Sequence, residues 1–266
     1  MRTRLRVGFE RTGQCNQAES GAGIAAVLFD LDGVLAQTSV LHQRAWEDLF
    51  RSYFAARGIE PGYSSSDYYA LIDGRPRFDA VQAMLESRGV QLEWGAPADD
   101  ESEETVCGLG NRKNRVFEDL LVRCGSIAYP ETVEILEWLR AEGIELAVVS
   151  SSRNALAVLE AIGVVDAFAA VVDGLVAEGR GLAGKPDPAT FCFAAESLGV
   201  TPDRAVVVED ATFGVAAGRA GGFRMVIGVD RGAGADALLS AGADLVVESL
   251  AELKGLLRGT SEAANA

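Results

Sequence analysis

Five short apolar runs along the chain end abruptly in a polar or acidic residue. They cover 24–29 before Asp30, 144–149 before Ser150, 205–208 before Glu209, 225–229 before Asp230 and 245–247 before Glu248. Continuous rather than alternating apolar runs suit strands buried on both faces, as in a parallel sheet. Helical spacing fills the gaps. The segment 131–142 carries Val133, Leu136 and Leu139, with Gly143 as a stop, and 187–198 opens on Asp187-Pro188 and closes at Gly199. Strand alternating with helix predicts a doubly wound α/β sheet. Sites in such sheets gather at the carboxyl ends of the strands, where the polar residues just named lie.

One stretch breaks the alternation. Between 38 and about 129 there are helical patterns at 40–57, 78–88 and 113–124, each closed by a glycine (Gly58, Gly89, Gly125), and no convincing buried strand. This predicts an α-helical cap domain inserted after the first strand. The expected organisation is an α/β core of 23–38 and 128–257, a helical cap of 39–127, a flexible extension over 1–22 and a flexible tail over 258–266. The acidic residues Asp99, Asp100, Glu101, Glu103 and Glu104 read as a solvated loop within the cap.

Composition narrows the function classes. The chain has 266 residues, 48% of them hydrophobic, so it can build a full core. Lys and Arg number 24 against 39 Asp and Glu, a formal charge of −15. That balance argues against nucleic acid or an anionic membrane as partner, but not against a small phosphorylated substrate held by local cations or a bound metal. Four scattered cysteines and one histidine exclude a zinc centre of ordinary spacing and fit a reducing compartment. No apolar run resembles a signal peptide or approaches the roughly 20 residues of a membrane span, so a cytoplasmic protein is expected.

The strand-end residues carry the candidate chemistry. In Phe29-Asp30-Leu31-Asp32-Gly33-Val34, carboxylates two apart face the same way, so one can attack an electrophile while the other moves a proton. Alone, the motif fits an Asx-type turn equally well. Glu209 and Asp210 form a second acid pair. They fit a helix N-cap, or, with Asp30 and Asp32, a hard oxygen site for Mg2+. Ser150, Ser151 and Ser152, followed by Arg153 and Asn154 at a helix start, could cap that helix or bind phosphate. Lys185, set among Gly184, Pro186 and Pro188, could hold a phosphate as a point charge or be solvated. Acid pair, hydroxyl, lysine and acid pair in that order form a metal-assisted phosphoryl-transfer constellation with a carboxylate nucleophile.

These motifs, Asp30-Leu31-Asp32-Gly33-Val34, Ser150-Ser151-Ser152-Arg153-Asn154, Gly184-Lys185-Pro186 and Glu209-Asp210, resemble the haloacid dehalogenase superfamily, within it the β-phosphoglucomutase-like branch, over roughly 24–252. The resemblance implies that Asp30 is the nucleophile and that Asp32 is the general acid/base with its main-chain carbonyl on Mg2+. It implies that Ser150 and Lys185 hold the phosphoryl oxygens, with Ser151 beside them, and that Glu209 and Asp210 complete the metal site. Thr38 and His42 resemble hinge residues of that branch, Gly74 and Arg77 its cap loop, and Arg153 and Asn154 a pair near the sugar phosphate. Arg112-Lys113-Asn114 resembles a further cap motif, though it also reads as a helix start with solvated cations. Two positions depart from the pattern: Asp73 stands where a lysine is expected, and Ala80 where a polar residue is common.

The function so implied is Mg2+-dependent phosphoryl transfer on a sugar phosphate, with a sugar bisphosphate as possible activator. It is a mutase converting β-glucose 1-phosphate to glucose 6-phosphate, or alternatively a sugar-phosphate phosphatase. A phospho-acceptor receiver shares the acids, hydroxyl and lysine, but has no use for Asp32 or for an inserted helical lobe.

Overall fold

A computed structural model describes residues 23–263; the expected extension over 1–22 and residues 264–266 lie outside the described residues. Its centre is a six-stranded parallel sheet of order β3-β2-β1-β4-β5-β6. The strands are β1 Ala26–Phe29, β2 Glu145–Val149, β3 Ala170–Val172, β4 Ala205–Glu209, β5 Met225–Val229 and β6 Leu245–Val247. The five apolar runs each form a strand. Alternate residues of β1 serve two cores: Val27 and Phe29 pack with α5 (Thr132–Ala141), α6 (Ala155–Ala161) and α11 (Leu253–Ala263), and Ala26 and Leu28 with α8 (Ala189–Leu198), α9 (Thr212–Ala220) and α10 (Ala235–Ala241). Burial on both faces is why these strands read as unbroken apolar runs.

The sheet reverses its order between β1 and β4, the switch point at which such folds open a crevice. Phe29 lies level with Val148 of β2 and Val208 of β4, so Asp30, Ser150 and the Glu209-Asp210 pair emerge side by side.

Residues 39–124 form a helical layer over that end. It comprises α1 (Ser39–Arg57), the single turn α2 (Ser65–Asp67), a π-helical turn Tyr68–Ile72, α3 (Arg77–Glu86) and α4 (Val106–Cys124). Trp46, Leu49, Phe50, Tyr53 and Phe54 recur at helical spacing on α1 and build a separate apolar cluster with Val81, Met84 and Leu109. The chain enters and leaves this layer through adjacent segments. Gln37 N donates to Ile127 O at 2.8 Å and Tyr129 N to Leu35 O at 3.1 Å, with Ala36 and Ala128 bridged antiparallel between them.

Three expectations are revised, and two elements were not anticipated. The third cap helix begins at Val106, not 113, because Thr105 caps it by accepting from Gly108 N. The acidic stretch is not simply solvated: Asp99 accepts from the Thr105 hydroxyl at 2.6 Å, and Glu104 pairs with Arg57 and Arg112. The tail expected from 258 is helical as far as Ala263. The edge strand β3 and α7 (Gly174–Arg180) were not anticipated, although β3 ends an apolar run over 167–172 that closes at Asp173.

Candidate active site

Lys185 organises the strand ends. Its buried ammonium donates to Asp30 Oδ1 and Glu209 Oε1, both at 2.6 Å, and to Val149 O at 3.0 Å. One cation thus uses its three protons to tie β1, β2 and β4 together. Burial alone would strip its proton, but Asp30 and Glu209 outweigh that and hold it charged. Burial pushes the Asp30 carboxyl well above the carboxylate range, with Glu209 and Asp32 adding to it and Lys185 opposing.

Asp32 faces a different set of partners. The Thr38 hydroxyl donates to Oδ1, His42 Nε2 lies 3.4 Å from the same oxygen, and the Ser150 hydroxyl lies 3.3 Å from Oδ2. Burial works to raise this carboxyl, but His42, Thr38 and Lys113 prevail and hold it at about 2. His42 stacks on Phe117 at 3.9 Å, and its Nδ1 lies 2.6 Å from the Lys113 ammonium. Burial and Lys113 push the imidazole below its ordinary range, so Nδ1 accepts from Lys113 and Nε2 carries the proton toward Asp32. The two aspartates are therefore tuned apart: burial and neighbouring carboxylates raise Asp30 against the pull of Lys185, while His42, Thr38 and Lys113 hold Asp32 down.

Asp210 is buried, makes no ion pair among the described residues, and is pushed well above the carboxylate range by burial, Asp73, Glu209 and Asp30. Gly33 turns at φ +92°, and a Cβ there would sit 1.8 Å from Asp210 Oδ2, so the loop backbone closes onto this carboxylate. Glu209 is engaged elsewhere: Oε1 accepts from Lys185 and Oε2 from Ala211 N. No three His, Cys, Asp or Glu side chains among the described residues close into a metal cluster. The neighbouring carboxylates Asp30 and Asp210, the latter without an ion pair among the described residues, and an excess of buried negative charge suit a hard divalent ion that keeps several waters, as Mg2+ does.

The cleft between sheet and helical layer is lined by Asp30, Asp32, His42, Lys113, Ser150, Glu209 and Asp210 and by Trp46, Tyr68, Asp73, Gly74, Arg77 and Asn114, with Lys185 and Thr38 behind it. Ser151 donates to Gly74 O at 2.9 Å, docking the loop before α3 onto the sheet. Arg77 donates to Asn111 and Asn114, and Asn154 donates to the same Asn114 oxygen at 2.9 Å. Neither Arg153 nor Asn154 lines the cleft, and Arg153 is turned to Glu178 at 3.4 Å.

Sequence reasoning singled out Lys113 and Asn114 only within a motif that equally suited solvated cations, and Asp73 only as a departure. Lys113 is buried in mid-helix against Trp46 and Phe117. Asp73 takes a hydrogen bond from Tyr68, and burial, with Glu209 and Asp32, pushes it up to about 7.

A family model for the haloacid dehalogenase-like hydrolases matches residues 24–222. The chain belongs to that family. It is 44% identical to a β-phosphoglucomutase of Mycobacterium bovis over 86% of this chain and 91% of the relative. It is 30% identical to a phosphorylated carbohydrates phosphatase of Thermotoga maritima, over 84% of this chain and 94% of that one. The crystal structure of a Clostridium difficile β-phosphoglucomutase superposes with a TM-score of 0.71 at 26% identity, covering 90% of this chain and 98% of that one. This haloacid dehalogenase chain is an enzyme of the β-phosphoglucomutase-like branch, built for phosphoryl transfer. No helix among its described residues is long and apolar enough to cross a membrane.

Proposed function

We propose that this enzyme interconverts β-glucose 1-phosphate and glucose 6-phosphate through an aspartyl phosphate on Asp30 and a sugar 1,6-bisphosphate. The observation that carries this reading is a second donor cluster at the edge of the cleft, which Arg77 and Asn114 line and behind which Asn154 stands. Arg77 from the helical layer and Asn154 from the sheet layer converge on one oxygen, that of Asn114, and share no hydrogen-bond partner with Asp30 or Lys185. A hydrolase of monophosphates needs one phosphate site, whereas a mutase must hold a second phosphate while the first is transferred. The 44% identity to a β-phosphoglucomutase supports the same reading.

The residues divide the work. Asp30 accepts the phosphoryl group. Ser150 would take its oxygens, together with Lys185 once the ammonium exchanges its contact with Asp30 for the phosphoryl group. Asp32, a carboxylate at neutral pH, takes the proton of the attacking sugar hydroxyl and returns it to the leaving oxygen when the bisphosphate has turned round. His42 and Lys113 hold Asp32 for that exchange. Mg2+ would be held by Asp30, Asp210 and the Asp32 main-chain carbonyl, and supplies positive charge against the transferring phosphoryl group. The helical layer excludes water from the aspartyl phosphate.

Arg77→Ala is expected to reduce isomerisation of β-glucose 1-phosphate far more, by about 100-fold, than phosphate release from a small activated ester that carries no second phosphate. Equal losses in the two assays would contradict a two-phosphate site.

A further inference from the structure

Arg77 is held in an unusual way for a half-buried arginine. No carboxylate among the described residues forms an ion pair with it. Its guanidinium instead donates to two neutral amide oxygens, Asn111 Oδ1 at 3.2 Å and Asn114 Oδ1 at 2.8 Å. The two amides stand one turn apart on α4 and so share a face. Each is oriented from its outer side. The Asn111 amide NH2 donates to Pro97 O at 3.1 Å and Asp99 O at 2.8 Å, and the Asn114 NH2 donates to Glu118 Oε1 at 2.7 Å. With the donor ends so fixed, both carbonyl oxygens must face Arg77. Burial and the neighbouring Arg153 lower the Arg77 pKa to about 10, and Glu118 and Glu178 offset this only through space.

We infer that Asn111 and Asn114 are positioning residues that aim Arg77 while leaving its charge uncompensated, so that the charge is available to the second phosphate of the substrate. Building on the two-phosphate reading above, the inference adds which residues make that phosphate site strong. A carboxylate partner would orient the guanidinium equally well, but it would cancel the field that a phosphate dianion meets. An amide oxygen orients and does not cancel. Asn114 does more than Asn111. Its oxygen also accepts from Asn154, so one atom occupies the point where donors of both layers converge, and a phosphate oxygen arriving there finds both donors already aimed. The loop over 91–105 enters through Pro97 and Asp99, whose carbonyls lock Asn111.

The test compares charge with mere loss of the amide. Asn114→Asp and Asn114→Ala are each made in a Glu118→Gln background, so that the new carboxylate meets no like charge on its outer side. KM is measured for β-glucose 1-phosphate, primed by the 1,6-bisphosphate, and for p-nitrophenyl phosphate. The expected result is a sugar-phosphate KM at least tenfold higher for the Asp variant than for the Ala variant, while the two differ by less than twofold toward the small ester. Equal KM values for Asp and Ala would overturn the inference, as would an Asp–Ala gap of the same size with the small ester. If the Asn114→Asp protein does not fold, Asn111→Asp against Asn111→Ala decides by the same criterion. Arg77→Ala separates the two levels: a raised KM there, with Asp and Ala variants alike, refutes this inference alone, whereas an unchanged KM refutes the two-phosphate reading and the inference together.

Discussion

Asp73 and Lys113 are buried ionisable groups that the cleft holds at opposite signs of strain. Lys113 has aromatic rings and an imidazole for company, and burial together with Arg77 pushes its pKa well down. Asp73 has a tyrosine hydroxyl and like charges, and titrates near 7 against 3.8 when unfolded. Its sign is definite: the unfolded chain releases this proton near pH 4 and the folded chain near pH 7. Stability is therefore full below pH 4 and is lost as pH rises through that window. Asp73→Asn is expected to raise the free energy of unfolding, measured by denaturant titration in EDTA at pH 7.5, by on the order of 2–4 kcal/mol, because each tenfold difference in proton affinity between the two states is worth about 1.4 kcal/mol. The gain is expected to vanish toward pH 4. A gain independent of pH would show that packing, not charge, is what changed. Asp30, Asp32, Ser150, Glu209 and Asp210 were legible in the sequence because each follows an apolar run that reads as a buried strand, and Lys185 because of its glycine and proline neighbours. Lys113 and Asn114 were not, since a polar residue in mid-helix looks the same whether it faces solvent or a cleft, and only the packing of α1 on α4 decides.

At the scale of elements, the loop between the π-helical turn and α3 is where the two layers meet most tightly. Gly74 there has φ +77°, and a Cβ would lie 2.9 Å from that of Ala211, with Ser151 donating to its carbonyl. Gly74→Ala is expected to cost about 1–2 kcal/mol in denaturant unfolding, as strained left-handed positions do, and to lower kcat/KM for the sugar phosphate more than for a small ester. Loss confined to stability would mean that the loop docks without shaping the cleft. Five of the six parallel strands were read from their apolar runs, including the three-residue β6, whereas the run 167–172 that holds β3 was passed over. The misses, β3 and α7, are short elements at a sheet edge. The early start of α4 was hidden because Gly108 and Gly110 lower helix propensity in its first turns, and tertiary contacts override them.

For the whole molecule, the −15 charge and the crowd of carboxylates at one end of the sheet make a divalent ion part of the expected working state. Chelation by EDTA is expected to abolish turnover, Mg2+ to restore it and Ca2+ not to, since calcium takes more ligands at longer distances. Full turnover in EDTA would remove the metal from the scheme. Binding of Mg2+ at about 100 times its dissociation constant is also expected to stabilise the fold by about 2.7 kcal/mol. The most direct measurement is the ratio of two rates in the wild-type enzyme supplied with Mg2+, β-glucose 1-phosphate and a trace of the 1,6-bisphosphate: appearance of glucose 6-phosphate against release of inorganic phosphate. A mutase with two phosphate sites and a water-excluding helical layer gives isomerisation well ahead of hydrolysis. Phosphate release that outruns isomerisation for this and every other sugar phosphate tried would contradict it.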